Sequence, residues 1–99
     1  MRSKVHVPAN EVASFCERHG IARLSLFGSV LTDRFRPDSD VDVLVEFREG
    51  RTPGFLGLSR LQRELSGILG REVDLRTPAE LSRHFRAEVE AKAEVQYAA

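Results

Sequence analysis

The sequence predicts an α/β (α+β) domain: a small mixed sheet of three or more strands with helices packed on one face. Three observations predict it. Apolar residues at three-and-four spacing alternate along the chain with short runs rich in β-branched residues. Gly, Pro, Asp and Ser punctuate the boundaries between them. The length of 99 residues suits one such domain, residues 1–99, with a single core.

The first helix is expected from about Pro8 to His19, with Val12, Phe15, Cys16 and His19 on one stripe. Pro8 suits a first turn and Gly20 the left-handed position past the end. Arg23–Phe27 reads as a short strand that stops at Gly28-Ser29, and 30–36 as room for a short helix. Arg36-Pro37-Asp38-Ser39-Asp40 is turn chemistry. Val41–Phe47 is the strongest strand signal, with Val41, Val43, Val45 and Phe47 on one face and Asp42, Leu44 and Glu46 on the other. A loop covers Arg48 to Pro53. A helix follows from Phe55 to Leu69, ended by Gly70, and Glu72–Arg76 forms a third strand. Thr77-Pro78-Ala79-Glu80 has the form of a capping box and opens a last helix through Leu81, Phe85 and Val89. The tail beyond about Glu94 is expected to fray.

Composition narrows the function. Fifteen basic and fifteen acidic residues cancel, which argues against a sequence-independent nucleic-acid binder, and no direct DNA binding is expected. No apolar run approaches the roughly 18 residues of a membrane span, and no signal-peptide pattern opens the chain. A single cysteine, Cys16, excludes a disulfide framework and fits a reducing cytoplasm.

The chemistry concentrates at the start of the valine-rich strand. Asp40 and Asp42 share a face, roughly 7 Å apart along the backbone, and like charges that close repel unless a cation sits between them. Hard oxygen ligands on a rigid strand suit Mg²⁺. Asp74, between Val73 and Leu75, is polar where its neighbours are apolar, and adjacent strands would bring it beside the pair. Three carboxylates can hold two metal ions about 4 Å apart, an arrangement that supports phosphoryl displacement. Asp38, Asp40, Asp42 and Glu49 also fall at four ligand positions of a calcium loop, but Val43 stands where that loop needs glycine, inside a strand. Gly28-Ser29, at a strand end before a helical turn, offers backbone N–H groups and a hydroxyl to phosphate oxygens.

Leu26-Phe27-Gly28-Ser29, ten residues, and then Asp40-Val41-Asp42 with Val43–Phe47 resemble the G-S-x10-D-x-D signature of the polymerase-β-like nucleotidyltransferases. The resemblance is closest to their minimal branch of roughly 100 residues, the MntA-like antitoxins found beside HEPN-domain toxins. It implies the minimal nucleotidyltransferase fold and transfer of AMP from ATP to a hydroxyl, here a tyrosine of the partner HEPN toxin, whose ribonuclease it silences. It further implies that Gly28 and Ser29 hold the triphosphate. Asp40 and Asp42 would bind two Mg²⁺ ions, and Asp74 would hold the catalytic metal and help deprotonate the acceptor. One departure stands out. Where relatives often carry an arginine shortly after Gly-Ser, this chain has Val30-Leu31-Thr32-Asp33, and Arg34 or Arg36 is expected to substitute.

Two other functions stay open: a non-catalytic antitoxin acting by binding alone, and transfer to a small molecule such as an aminoglycoside. The first is disfavoured because a pure binding module gains nothing from clustered like charges. The second is disfavoured because no second domain supplies an acceptor pocket. An apolar docking surface for the partner or a second copy, giving a homo- or hetero-oligomer, is expected on the last helix or over Arg51–Leu58. The remaining candidates read as structural. His6, His19 and His84 lack metal-ligand spacing, Cys16 packs as a small hydrophobe, and residues 83–94 form a solvated face with pairs such as Arg86 and Glu90. Tyr97 is a terminal aromatic rather than a self-modified acceptor, and Glu46 either orients a ligand or lies at the strand surface.

Overall fold

The structure, a computed structural model, describes residues 5–32, 34, 36 and 38–99. Among these, helix α1 (Ala9–His19) leads into strand β1 (Ile21–Phe27) and a 3-10 turn (Gly28–Leu31). Strand β2 (Val41–Phe47), helix α2 (Phe55–Leu69) and strand β3 (Val73–Arg76) follow. A second 3-10 turn (Pro78–Glu80), helix α3 (Arg83–Lys92) and strand β4 (Glu94–Ala98) complete the order. Asp33 and Pro37, which entered the expectations for 30–40, lie outside the described residues.

The helices form where their apolar stripes can be buried. Val12, Phe15 and Cys16 of α1 are buried, and so are Leu61, Leu65 and Leu69 of α2. Gly20 and Gly70 end the two helices at φ 68°, the left-handed region where a Cβ is costly. The sheet order is β3-β2-β1-β4. β1 runs antiparallel to β2 and β4, whereas β2 and β3 are parallel, with α2 between them in sequence as a crossover requires.

Alternation along the strands divides the sheet into two faces. Leu24 and Leu26, Val41, Val43 and Val45, and Val73 and Leu75 pack with the buried residues of α1 and α2 into the main core. The opposite face carries Phe27 and Leu44, which pack with Leu81 and Val89. The α/β class with a mixed sheet is thus observed, but the helical cover differs from expectation. α1 and α2 lie on the valine face, and α3 lies on the other, because Phe27 and Leu44 leave that face apolar enough to need cover.

Three elements depart from the sequence reading. In place of the short helix given room over 30–36 stands a 3-10 turn, Gly28–Leu31, that ends at an extended Thr32. The capping residues Thr77 and Glu80 close only a 3-10 turn, in which Glu80 Oε1 accepts the Thr77 N–H at 3.0 Å and the Thr77 hydroxyl at 3.2 Å. Leu81 then returns to extended backbone and joins the second cluster. The helix proper starts after Ser82, whose hydroxyl accepts the Phe85 N–H at 3.3 Å. The tail does not fray: β4 pairs with β1, with Tyr97 opposite Leu24 and Val95 opposite Ser25. β1 would otherwise leave an edge of unpaired backbone groups, and Tyr97 is half-buried against the core.

Cys16 is buried, and burial first, then the Glu17 charge, push its thiol up to about 12. His19 Nε2 meets Glu64 Oε1 at 3.0 Å, and its ring lies edge-on to Phe15. The i,i+4 pair on α3 is Glu88 with Lys92, at 3.5 Å, whereas Arg86 donates to the Leu81 carbonyl. Arg23 lies 3.6 Å from Glu46, which places Glu46 in a strand-surface ion pair. Among the described residues no helix is long and apolar enough to cross a membrane.

Candidate active site

Strand register builds the site. Asp42 of β2 is the register partner of Phe27 on β1 and of Asp74 on β3. Register partners on adjacent strands project on the same face about 4.8 Å apart, so the two carboxylates stand side by side. Their strands hold this register because the residues on either side of them, Val41, Val43, Val73 and Leu75, are locked into the core. Asp40 sits two residues before Asp42, where the Val41 N–H donates to the Glu72 carbonyl at 2.8 Å and fixes the strand entry.

The electrostatics record this crowding. Burial holds the Asp42 carboxyl above its ordinary range, the charges of Asp74 and then Asp40 push it further, and only Arg76 pulls it back. The Arg76 guanidinium donates to Asp74 Oδ2 at 3.1 Å. Gly28 completes the corner. Its φ is +76°, and a Cβ there would collide with Asp42 Oδ2. Glycine is required at this corner both for its backbone conformation and for the approach of Asp42.

Beyond Gly28 the first 3-10 turn borders an open cleft of about 710 Å³. Gly28, Ser29, Thr32 and Arg34 form one wall, and Phe85, Glu88 and Lys92 of α3 form the other. The turn is pinned by Thr32, whose N–H and hydroxyl both donate to the Ser29 carbonyl at 2.9 Å and whose hydroxyl accepts the Arg34 N–H at 3.1 Å. Of the two arginines proposed from sequence, Arg34 lines the cleft. Arg36 does not, and its backbone is tied to Ser39 and Arg71 instead. The sequence reading put Phe85 and Val89 on the last helix but did not set that helix across from Gly28-Ser29, because residues 83–94 read as a solvated face. Phe85, Glu88, Val89 and Lys92 recur at three-and-four spacing, the signal that could have found this wall.

The donors suit a hard divalent cation in kind: Asp42 and Asp74 are register partners held together against their mutual repulsion, and the charge of Asp40 also reaches Asp42. Among the described residues no group of three His, Cys, Asp or Glu side chains is drawn together closely enough to enclose an ion.

Residues 11–97 match the family model described as nucleotidyltransferase domain. The chain belongs to that family. The chain is 47% identical over 60 residues to a provisionally named protein adenylyltransferase of Methanocaldococcus jannaschii, across 61% of this chain and 62% of the relative. It is 41% identical over 59 residues to the protein adenylyltransferase MntA of Thermococcus cleftensis, across 60% of this chain and 58% of that one. The chain thus spans about three-fifths of the length of these relatives. A solved structure of a provisionally assigned minimal nucleotidyltransferase superposes with a TM-score of 0.71 at 42% identity, over 86% of this chain and 85% of that one. A crystal structure of a toxin–antitoxin with AMP-PNP shares the fold, with a TM-score of 0.75 at 19% identity over 94% and 75% of the two chains.

Proposed function

We propose that this nucleotidyltransferase is a Mg²⁺-dependent protein adenylyltransferase, transferring AMP from ATP to a tyrosine hydroxyl of a HEPN-domain toxin and so acting as that toxin's antitoxin. One observation carries the proposal: Asp42 and Asp74 are register partners on one face, beside a glycine whose missing Cβ makes room for the Asp42 carboxylate. The relatives named protein adenylyltransferase support the reaction class. The toxin–antitoxin structure with AMP-PNP makes a toxin and a nucleotide the partners to test.

In this proposal the acceptor oxygen attacks the α-phosphorus of ATP, the new O–P bond forms as the bond to the β-phosphate oxygen breaks, and pyrophosphate leaves. Gly28 and Ser29 present the corner that receives the triphosphate, and Arg34 adds positive charge from the same wall. Lys92, on the opposite wall, is a second cation facing that cleft. Asp74 helps take the acceptor proton. Asp40, Asp42 and Asp74 would hold two Mg²⁺ ions, whose charge offsets that of the phosphates. Little else is required of the protein, since phosphoryl transfer depends mainly on positioning and charge neutralisation. Phe55 and Leu56, 83% and 74% exposed within the Arg51–Leu58 stretch, provide apolar surface for a protein acceptor. The reducing cytoplasm remains the proposed location.

The test is incubation of the folded chain with ATP, Mg²⁺ and the HEPN-domain protein encoded beside it, followed by intact-mass spectrometry. The partner should gain the mass of AMP, and a Tyr→Phe variant of its acceptor should not. An unmodified partner that still forms a complex would make the chain a binding antitoxin instead.

A further inference from the structure

We propose that Arg76 is a positioning residue that competes with a divalent cation for Asp74, and that Glu80 receives its guanidinium when the cation takes the carboxylate. This rests on the cation-binding role proposed above for Asp40, Asp42 and Asp74.

Arg76 lies two residues beyond Asp74 on β3, and alternate strand residues share a face. Its Nη2 donates to Asp74 Oδ2 at 3.1 Å, and its Nη1 lies 3.9 Å from Glu80 Oε2. The guanidinium therefore stands between two carboxylates, bonded to one and within reach of the other. An oxygen committed to arginine gives up a lone pair that a cation would need, and the permanent charge of the guanidinium repels a second positive ion. Glu80 is held ready as the alternative partner. Its Oε1 accepts both Thr77 bonds, which fixes the carboxylate while Oε2 faces Arg76. The Arg76 side chain is about half exposed, so the exchange needs only side-chain rotation. Before a cation arrives, Arg76 offsets the repulsion among the aspartates. Afterwards its charge is kept near the site by Glu80. The affinity for the cation is accordingly set in part by an arginine that does not itself touch the ion.

Titration of the full chain with Mn²⁺, following free Mn²⁺ by electron paramagnetic resonance, tests this directly. Arg76→Val should bind Mn²⁺ about three- to tenfold more tightly than the parent. Glu80→Gln keeps an acceptor for Thr77 but loses the charge, and should bind about two- to fivefold more weakly. In an Asp74→Asn background, Arg76→Val should change the affinity by less than about twofold, because the contested carboxylate is gone. An equal gain in both backgrounds would mean a general charge effect and would overturn the competition. So would parent-like affinity in both Arg76→Val and Glu80→Gln. Circular dichroism confirms the fold of each variant, and Glu80→Gln carries the test if Arg76→Val does not fold. A parent chain that binds no Mn²⁺, with or without AMP-PNP, would instead remove the cation site and the proposed function with it.

Discussion

Replacing Gly28 with alanine separates two costs that the structure assigns to one corner. The backbone there has φ +76°, and holding an L-residue in the left-handed region costs about 1–2 kcal/mol. The added Cβ would also collide with Asp42 Oδ2 and lie 3.2 Å from its Cγ, so the whole carboxylate must turn aside. Forcing a side chain off its rotamer costs about 0.5–1.5 kcal/mol. Together these predict a loss of about 2–3 kcal/mol in Gly28→Ala. For a domain this small that is a fall of about 10–20 °C in thermal midpoint. Urea unfolding of Gly28→Ala, Asp42→Ala and the double variant, followed by circular dichroism, resolves the parts. In the Asp42→Ala background only the backbone cost of about 1–2 kcal/mol should remain, leaving a coupling of about 1 kcal/mol between the two positions. A loss below about 0.5 kcal/mol in the single variant would refute the assigned backbone strain. Equal losses in both backgrounds would refute the contact with Asp42.

Asp42→Asn should remove most of the thermal stabilisation given by Mg²⁺ and ATP, which for the parent amounts to about 2.7 kcal/mol at a hundredfold excess over Kd. Without ligand the same variant should be no less stable than the parent at neutral pH, since the amide relieves repulsion from Asp74 and Asp40. Glu64 supplies the pH dependence. Burial raises its carboxyl, but hydrogen bonds and charges from Arg18 and His19 outweigh this and leave it below its ordinary value of 4.5. Its contribution is therefore present above that value and lost as the pH falls through the lower, folded one. Glu64→Gln should flatten the acid limb of a plot of urea midpoint against pH and leave the neutral region nearly unchanged. Tyr97→Ala should cost about 1–3 kcal/mol by chemical denaturation, because the ring is half-buried over the core. A fraying tail would show no loss.

The sequence made legible those elements whose signals are local. Val41–Phe47 and Phe55–Leu69 appear where period and turn residues place them, because each carries its own apolar face. β4 was not legible, since Glu94–Ala98 has little alternation and becomes a strand only because β1 needs a neighbour. The start of α3 was misplaced for a similar reason: the capping box at Thr77 is real, but Leu81 is drawn back to the sheet and breaks the helix. At the site, the placement of Asp42 on the face away from Val41 and Val43 followed from strand period. That Asp74 would lie level with Asp42 depended on a parallel pairing that no local signal encodes. The α3 wall of the cleft was hidden because a helix with polar residues on an apolar stripe looks solvated until its partner face is known.

The same alternation explains how so small a chain can hold like charges together. Every second residue of β2, namely Val41, Val43 and Val45, is fully buried under α1 and α2, so the strand cannot shift to relieve the repulsion on its other face. A slip by one residue would expose three valines, at about 1.5–3 kcal/mol each, far more than separation of two partly solvated carboxylates would return. The core thus acts as the clamp, and the unfavourable proximity of Asp42 and Asp74 is what the proposed function would relieve with an ion. With the register fixed from behind, the front of the sheet needs no second domain to position the carboxylates. In the proposed transfer, the far wall of the acceptor site would come from the protein that brings the hydroxyl.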